Sequence, residues 1–242
     1  MSASEEQIVP TGLTAGRIKT LARYDTPTIA NALESLLAGS VQFIGPEVRA
    51  VTPLGGPIVG VAVTATMTEQ WGGKFDHLEP WLRFLEEIER TALPVVAVFQ
   101  DDSRCPGRQA MIGEGMSRAM RAAGAVAAIC SGSIRDVAAL REMAFPALAA
   151  GLVADRGRIR FHRYQVPVEI AGMTVMPGDL IHADENGAVV IPADRVADVF
   201  AAAGQVSAKE ARLFAMFAEP AFRVAGLYEY YREELAAARA AR

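Results

Sequence analysis

The sequence predicts an α/β domain built on a mixed sheet. Between residues 58 and 151, short apolar runs typical of buried strands alternate with runs of helical periodicity. From residue 166 to 194, the chain changes to short strands separated by turn signals, which a regular doubly wound sheet does not contain. Helical patterns lie on both sides of this region. One domain with a mixed sheet therefore explains the order of the predicted helices and strands better than two domains do.

The individual elements follow from their start and stop signals. A helix is predicted over 14–23, and a second helix begins at Asp25 or Thr26 with Pro27 in its first turn. Further along, the predicted elements are a strand over 58–66, a helix over 77–92, a strand over 93–100, a helix over 113–123 ended by Gly124, a strand over 125–130, and a helix after the following Ser-Gly-Ser turn. Turn signals at 177–179 and 184–187 separate the late strands, and the chain is helical again from residue 193.

Composition narrows the class of function. The chain has 242 residues, of which 51% are hydrophobic and 21% are charged, as in a well-buried globular domain. Its net charge of -4 argues against a nucleic-acid partner, which would normally require a basic face. The same charge is compatible with a local basic pocket. The composition therefore leaves open a pocket for a small anionic molecule.

Targeting and redox signals favour the cytoplasm. The N-terminal residues lack a basic stretch followed by an apolar one, and no apolar run reaches the length of a membrane span. Cys105 and Cys130 do not form a disulfide or CxxC pattern, and Cys130 is interpreted as a core residue. His162 is interpreted as a surface or strand residue, and His182 as structural. A cytoplasmic protein without a membrane partner is the resulting expectation.

Residues 113–116, Gly-Glu-Gly-Met, lie at the start of a predicted helix. The first N–H groups of a helix have no partner within it, and the helix dipole adds partial positive charge there. Such an end binds a carboxylate or a phosphate, and a glycine at 115 leaves room for the ligand to approach. An ordinary helix cap with Glu114 in its first turn is the alternative that these residues leave open.

Ile134-Arg135-Asp136 follows a buried strand and a tight turn. Ligands of open α/β sheets bind beyond the carboxyl ends of strands, where this segment lies. Arg135 offers a planar fork for a carboxylate or an enolate, and Asp136 offers a hard oxygen for a divalent cation. Taken alone, the pair could equally cap the next helix.

The topology predicts that the two segments meet. In a strand-loop-helix-strand-turn unit, the helix start at Glu114 and the exit of the second strand at Arg135 lie on one side of the sheet. Asp102 leaves the preceding strand on that side too. Three carboxylates and an arginine that converge at one place are electrostatically unfavourable unless a metal or an anionic ligand balances their charges. The sequence therefore predicts a metal or anion site here.

The spacing of Glu114, Arg135 and Asp136 resembles the D/E-x20-R-D signature of the RraA-like family. That family contains 4-hydroxy-4-methyl-2-oxoglutarate/4-carboxy-4-hydroxy-2-oxoadipate aldolases and regulators of ribonuclease activity A. Further similarity lies in YDTPTIANALE, in IVGVAVTAT and in the PGD-containing segment MTVMPGDLIHADENGAVVIPAD. The likeness runs from about residue 20 to about residue 212.

The resemblance implies a fold and an assembly. The fold is a swivelling β/β/α-type single domain with a mixed sheet and flanking N- and C-terminal helices. It would comprise residues 1–242, with a core over about 20–212 and a C-terminal helical extension over about 213–242. The assembly would be a homotrimer, or a hexamer of two trimers, with active sites between subunits.

The resemblance also implies roles for the site residues. Glu114 and Asp136 would hold Mg²⁺ or Mn²⁺, and the backbone N–H groups of Gly115 and Met116 would bind the pyruvyl carboxylate of a 2-oxo acid. Arg135 would contact the keto or enolate oxygen and act as the catalytic residue. The expected activity is retro-aldol cleavage through a pyruvate enolate, with oxaloacetate decarboxylation as a side activity.

Two alternatives remain at this stage. One is a non-catalytic binding protein of the ribonuclease-regulator type, and the other is related enolate chemistry on a sugar-derived or aromatic-derived acid. The stretch WGGKFDHLEPW departs from the family pattern, so His77 is only a possible pocket residue, as is Asp102. Glu210 is a candidate for an acidic residue donated by a neighbouring subunit.

Overall fold

The computed structural model describes residues 13–37, 41–70, 78–232 and 235–236. The helices are α1 Ala15–Leu21, α2 Thr26–Leu36, α3 Leu78–Arg90, α4 Glu114–Ala123, α5 Val137–Glu142, α6 Val196–Ala218 and α7 Ala225–Tyr230, with a single 3-10 turn at Ala193–Arg195. The strands are β1 Arg49–Ala50, β2 Ile58–Glu69, β3 Val95–Asp101, β4 Ala110–Ile112, β5 Ala125–Cys130, β6 Ser133–Ile134, β7 Ala147–Ala149, β8 Gly151–Leu152, β9 Ile159–Tyr164, β10 Val168–Ile170, β11 Met173–Val175, β12 Leu180–Asp184 and β13 Gly187–Ile191.

The main sheet has eight strands and is mixed, as the sequence predicted. Its order is β1-β7-β5-β3-β2-β12-β13, and β9 also pairs with β2. The centre, β2-β3-β5-β7, is parallel, whereas β1, β9, β12 and β13 are antiparallel to their neighbours. The length of β2 makes this mixed arrangement possible, because its first half pairs with β12 and its second half pairs with β9.

Both faces of the central strands are buried. Along β3, Val95, Ala97 and Phe99 pack into one hydrophobic cluster, whereas Val96 and Val98 pack into the other. Successive side chains of a strand point to opposite faces, so a strand covered on both sides reads as a continuous apolar run. This arrangement explains why LPVVAVF is apolar throughout.

The helix boundaries confirm most of the capping signals. Asp25 caps α2 and its Oδ1 accepts a hydrogen bond from the Thr28 N–H at 2.9 Å. Gly124 ends α4 in the left-handed conformation, with φ 116°. The hairpin predicted at 184–187 is also present, since Asp184 pairs with Gly187 across β12 and β13.

A second, smaller sheet was not predicted from the sequence. It consists of three parallel strands, in the order β4-β6-β8, of only two or three residues each. None of these three strands was predicted from the sequence, because so short a strand shows no periodicity. This small sheet is what positions the candidate site.

By its internal contacts, the chain divides into two units, Met1–Ala203 and Gly204–Arg242. The first unit contains both larger sheets and the residues that line the candidate site. In the second unit, the ring of Phe217 lies 6.5 Å from that of Phe214 and 5.4 Å from that of Phe222. A single domain with an extension from about residue 213 stays a prediction. Every helix among the described residues is too short or too polar to cross a bilayer.

Candidate functional site

The two ends of the segment 113–136 meet. Strands β4 and β6 are parallel neighbours with Ile112 opposite Ile134, so the residues that follow them leave the same edge of the small sheet. The Arg135 N–H donates to the Ile112 carbonyl at 3.0 Å. One residue further on, the Glu114 N–H donates to Oδ2 of Asp136, also at 3.0 Å. Strand pairing thus brings the acidic helix start to the Arg-Asp pair.

Asp136 adopts an uncommon backbone conformation. It precedes α5 with φ 59° and ψ 32°, in the left-handed region, where aspartate is tolerated better than most residues. Its Oδ2 accepts from Glu114 and lies 3.5 Å from Nε of Arg135. Within the part of the chain that the structure describes, Oδ1 of Asp136 has no hydrogen-bond donor. One carboxylate oxygen is therefore available to a ligand.

Gly113 permits this close approach. A Cβ at position 113 would lie 2.7 Å from Oδ2 of Asp136 and 3.0 Å from Nε of Arg135. Real Cβ atoms essentially never come as near as 2.7 Å to another heavy atom, so a larger residue at position 113 would force the side chains of Asp136 and Arg135 to shift. The sequence analysis noted Gly113 only as part of the helix start.

The start of α4 has N–H groups without a side-chain cap. Its N-cap residue is Gly113, which forms no capping hydrogen bond. The Glu114 N–H binds Asp136, which leaves the next two N–H groups, those of Gly115 and Met116, for a ligand. A Cβ at Gly115 would meet nothing within 4 Å. Gly115 and Met116 both line the cavity described below, and the space beside the Gly115 Cα is open.

Glu114 has a partner that the sequence analysis did not predict. Its Oε1 lies 2.8 Å from both Nε and Nη2 of Arg118, one helical turn further on. The Glu114 side chain is 43% exposed, and an exposed pair with this spacing stabilises a helix by only about 0.3–0.5 kcal/mol. The pair is too weak to keep the carboxylate from another partner.

A cavity of about 210 Å³ lies beside these groups. The residues that line it are Met67, Trp81, Ala110, Met111, Gly113, Glu114, Gly115, Met116, Arg135, Arg156, Ile159, Arg160 and Phe161. Four of the five site residues predicted from the sequence therefore line one cavity, namely Glu114, Gly115, Met116 and Arg135, and the fifth, Asp136, binds the Glu114 N–H.

The sequence analysis missed part of this lining. Trp81, Arg156 and Arg160 were not singled out, because they come from α3, from the loop after β8 and from β9. The run RGRIRFHR at 156–163 was a usable signal, since four arginines within eight residues are unusual in a chain of net charge -4.

The remaining predicted residues are placed differently. Asp102 does not belong to the cavity lining; its Oδ2 lies 3.6 Å from Nδ1 of His162. His77 lies outside the described residues. Glu210 is on α6, in the second unit. The roles suggested for these three residues stay predictions.

Two other residues have structural surroundings. Cys130 is buried in β5, and burial raises the pKa of its thiol far above the ordinary value, so the thiol is unreactive. His182 is fully buried and contacts Oγ1 of Thr26 at 3.0 Å. Both interpretations made from the sequence are confirmed. Among the described residues, no three His, Cys, Asp or Glu side chains are grouped so that they could hold a metal ion by themselves.

Comparison with known proteins identifies relatives of this chain. Two of them, from Halalkalibacterium halodurans and Deinococcus radiodurans, bear the name "Putative 4-hydroxy-4-methyl-2-oxoglutarate aldolase". The first is 34% identical over 32% of this chain and 36% of its own length. The second is 39% identical over 27% of this chain and 42% of its own length. Protein DlpA of Legionella pneumophila is 38% identical over 29% of this chain, but the match spans only 12% of DlpA.

Solved structures show the same fold. Streptomyces coelicolor RraAS2, described as an unusual member of the RNase ES inhibitor RraA protein family, aligns with a TM-score of 0.68. The alignment covers 84% of this chain and 96% of that chain at 23% identity. An uncharacterized protein from Pseudomonas syringae aligns with the same TM-score over 87% of this chain and 96% of its own. The predicted α/β fold with a mixed sheet is thus confirmed.

The family model named RraA-like, described as Aldolase/RraA, matches residues 26–190. That range contains the small sheet, the cavity and every predicted metal or substrate ligand. This chain belongs to the RraA-like family.

Proposed function

We propose that the protein is a divalent-metal-dependent lyase that cleaves a C–C bond of a pyruvyl-containing 2-oxo acid through a pyruvate enolate. The observation that carries the proposal is the convergence, beside one cavity, of two carboxylates, an arginine and a helix start with uncapped N–H groups. Two relatives that bear an aldolase name support the same reaction class.

The carboxylate of the 2-oxo acid binds at the start of α4. The N–H groups of Gly115 and Met116 donate to it, and the partial positive charge of the helix end adds to the attraction. The empty space at the Gly115 Cβ position lets the ligand come within hydrogen-bonding distance of the backbone. This contact holds the substrate in one orientation.

Arg135 stabilises the charge that develops during the reaction. Its side chain lines the cavity and is 36% exposed, so its guanidinium is accessible from the cavity. Nε of Arg135 lies 3.5 Å from Oδ2 of Asp136, and this ion pair favours one orientation of the guanidinium. Donors aimed at an oxygen that becomes negative contribute more to the transition state than to the bound substrate.

The residues present fit a hydrated divalent cation. Mg²⁺ commonly binds to only one or two carboxylates and keeps several waters, so it does not require a cluster of three protein ligands. Asp136 has one oxygen without a donor among the described residues, and Glu114 is held only by its exposed pair with Arg118. Glu114 and Asp136 would hold Mg²⁺ or Mn²⁺, which acts as a Lewis acid toward the 2-oxo acid.

The proposed cleavage breaks the bond between C3 and C4 of a 4-hydroxy-2-oxo acid. The 4-hydroxyl loses its proton to water and becomes a carbonyl, and the electron pair of the broken bond forms the pyruvate enolate. Arg135 donates to the enolate oxygen, and C3 then takes up a proton to give pyruvate. Oxaloacetate would lose CO₂ through the same enolate, which makes decarboxylation the expected side activity.

A coupled pyruvate-release assay tests the proposal. Oxaloacetate and 4-hydroxy-4-methyl-2-oxoglutarate are supplied with Mg²⁺ or Mn²⁺, and EDTA is the control. We expect pyruvate from at least one substrate, with the rate lost on adding EDTA and restored by excess metal. Absence of metal-dependent pyruvate from both substrates would contradict the proposal as stated.

A second candidate is a non-catalytic binding protein of the regulator type. It is favoured by the Glu114–Arg118 pair, which satisfies one of the two carboxylates without a metal. A calorimetric titration with Mg²⁺ and Mn²⁺ separates the two candidates. Metal binding that disappears in Asp136→Asn supports the lyase, whereas no binding in the unmodified protein supports the regulator.

A further inference from the structure

A buried aspartate at the end of β3 has no role in the reaction described above. Asp101 is the last residue of that strand, is only 7% exposed and does not belong to the cavity lining. A buried carboxylate is stable only when the chain supplies donors to it, so its partners show which parts of the chain it holds in place.

Asp101 binds the loop that leads into β4. Its Oδ2 accepts a hydrogen bond from the Gly107 N–H at 2.7 Å, and its Oδ1 accepts one from the Ser103 N–H at 3.1 Å. Gly107 lies three residues before Ala110, where β4 begins. Both carboxylate oxygens of Asp101 therefore fix the course of the chain just before the strand that leads to the start of α4.

The same aspartate contacts the turn that leads into β6. The Asp101 N–H donates to Oγ of Ser131 at 2.8 Å, and a Cβ at Gly132 would lie only 2.6 Å from Oδ2 of Asp101. Ser133, the first residue of β6, donates from its Oγ to the Gly107 carbonyl at 2.7 Å. The loop and the turn are therefore joined to Asp101 and to each other.

These contacts lie close to the candidate site because β4 and β6 are short. At about 3.3 Å per residue, the three residues of β4 and the two residues of β6 span only about 10 Å and 7 Å. Glu114 lies just beyond the far end of β4, and Arg135 follows the far end of β6. A shift of either strand at its start therefore changes the spacing between these two residues.

We propose that Asp101 is a positioning residue of the site: it holds the starts of β4 and β6 so that the start of α4 lies beside the Arg-Asp pair, without touching the substrate. The main sheet is the fixed reference, because Asp101 pairs with Met67 of β2. A misplacement of about 1 Å can lower a rate by about 10²-fold, so loss of Asp101 lowers turnover even in a folded protein. The effect on turnover rests on the proposed function, whereas the effect on the geometry of the site does not.

Asp101→Asn tests this role with little change of side-chain volume. The asparagine oxygen still accepts one N–H, but its NH₂ group faces the other donor, so one hydrogen bond to the loop is lost. Asp184→Asn is the matched control. Asp184 is also 7% exposed and accepts two backbone N–H groups, those of Thr26 and Asn186, but it does not line the cavity. Both variants should lose stability, and only Asp101→Asn should disturb the site.

Amide hydrogen exchange measures the geometry of the site without substrate or metal. The N–H groups of Glu114 and Arg135 each bond to the opposite segment of the site, whereas the hydrogen-bonded Ala62 N–H of β2 reports opening of the main sheet. Relative to Ala62, the first two should exchange at least about tenfold faster in Asp101→Asn than in the unmodified protein. In Asp184→Asn this ratio should stay unchanged. An equal ratio in the two variants would overturn the proposal.

Steady-state kinetics measures the effect on the reaction. At a temperature where the proteins are folded, kcat for pyruvate release should fall about tenfold or more in Asp101→Asn and remain within about twofold in Asp184→Asn. Ser133→Ala removes only the hydrogen bond between the turn and the loop, and it should show the same pattern to a smaller extent. This milder variant decides the question if Asp101→Asn does not fold. Faster exchange at the site with an unchanged kcat would also overturn the proposal.

The two measurements separate this inference from the proposed function. If no substrate releases pyruvate but the exchange ratios behave as expected, the lyase proposal fails and Asp101 still positions the site. If pyruvate is released and Asp101→Asn resembles Asp184→Asn in both exchange and kcat, the positioning role fails and the lyase stands.

Discussion

Two clusters in this protein use aspartate at the end of a strand in opposite ways. In the buried cluster, Asp184 accepts from the N–H groups of Thr26 and Asn186 at 2.7 Å, and it is only 7% exposed. In the open cluster, Asp136 is 38% exposed and one of its oxygens has no donor within the described residues. The first aspartate fixes the start of α2 against the sheet. The second is available to a ligand.

The comparison shows how a carboxylate satisfied within the fold differs from one that is left open to a ligand. Buried polar groups are stable only when the chain satisfies them, as it does for Asp184 and for His182, whose Nδ1 contacts Oγ1 of Thr26. At the open cluster, the chain brings carboxylates, an arginine and helix N–H groups together but leaves several of them unsatisfied. Incomplete satisfaction beside a cavity is therefore the more informative sign of function.

The largest effect is expected at Arg135. Replacing Arg135 with alanine should lower kcat for pyruvate release by about 10²–10³-fold, because it removes a donor to the enolate oxygen. The unfolding free energy should change by less than about 0.5 kcal/mol, since the side chain is accessible and its one ion pair is long. The measurements are the coupled assay and urea denaturation. If Arg135→Ala lost enough stability to explain its loss of rate, Arg135 would have a structural role, like Asp184, and not a catalytic one.

At Asp184 we expect the reverse, a large loss of stability with little change in activity. Alanine at this position leaves the buried N–H of Thr26 and the partly buried N–H of Asn186 without an acceptor, and should destabilise the fold by about 2–4 kcal/mol, measured by urea denaturation. Activity per folded molecule should remain within about twofold. Glu185→Ala, at an exposed neighbouring position, is the control and should be close to neutral. An unchanged unfolding free energy in Asp184→Ala would remove the distinction between the two clusters.

Gly115 and Gly113, at the start of α4, provide two variants that separate effects on ligand binding from effects on stability within the open cluster. Gly115→Ala should leave stability unchanged or raise it slightly, because the new Cβ meets no protein atom and alanine favours the helix. Activity should still fall by about tenfold or more, since the methyl group occupies space needed by the bound carboxylate. The measurements are the melting temperature and KM.

Gly113→Ala is the matched variant. Its Cβ would collide with Asp136 and Arg135, so both stability and activity should fall. If Gly115→Ala retained full activity with an unchanged KM, the start of α4 would not bind the substrate carboxylate.

A pH effect on stability is expected from His182 in the buried cluster. Burial is the main reason that the pKa of His182 is lowered from its ordinary value, so the folded protein keeps this residue neutral. As the pH falls below that ordinary value of about 6.5, the unfolded chain binds a proton and the folded protein does not. Stability is therefore lost from about pH 7 toward pH 5, at up to about 1.4 kcal/mol per pH unit.

Urea denaturation at several pH values measures this slope. His182→Gln should show a smaller slope than the unmodified protein, whereas His162→Gln, at an exposed residue, should keep it. Equal slopes in all three proteins would show that His182 does not control the acid sensitivity.

The smallest effect is expected at Arg118. Its pair with Glu114 competes with the proposed metal, and an exposed pair of this spacing is worth only about 0.3–0.5 kcal/mol. Arg118→Ala should therefore tighten Mg²⁺ binding by about twofold in a calorimetric titration. Weaker binding would instead indicate that Arg118 positions Glu114 for the metal.

Much of the fold was predictable because its signals are local. Asp25, Pro27 and Gly124 mark helix ends through capping and backbone preferences that need no distant partner. The hairpin between β12 and β13 follows from the turn residues at 184–187, and the central strands follow from their apolar runs. Strand-exit topology also predicted that Glu114 and Arg135 would meet.

The tertiary structure decided the features that depend on long-range pairing. The strands β4, β6 and β8 are too short to show a period, and each exists only because the other two are beside it. The same pairing set the contact between Asp136 and the Glu114 N–H, and packing brought Arg156 and Arg160 into one cavity. The sequence by itself thus determined which residues form the acidic helix start and the Arg-Asp pair. Only the folded chain decided which groups are satisfied, because a hydrogen-bond partner or its absence depends on residues far apart in the sequence.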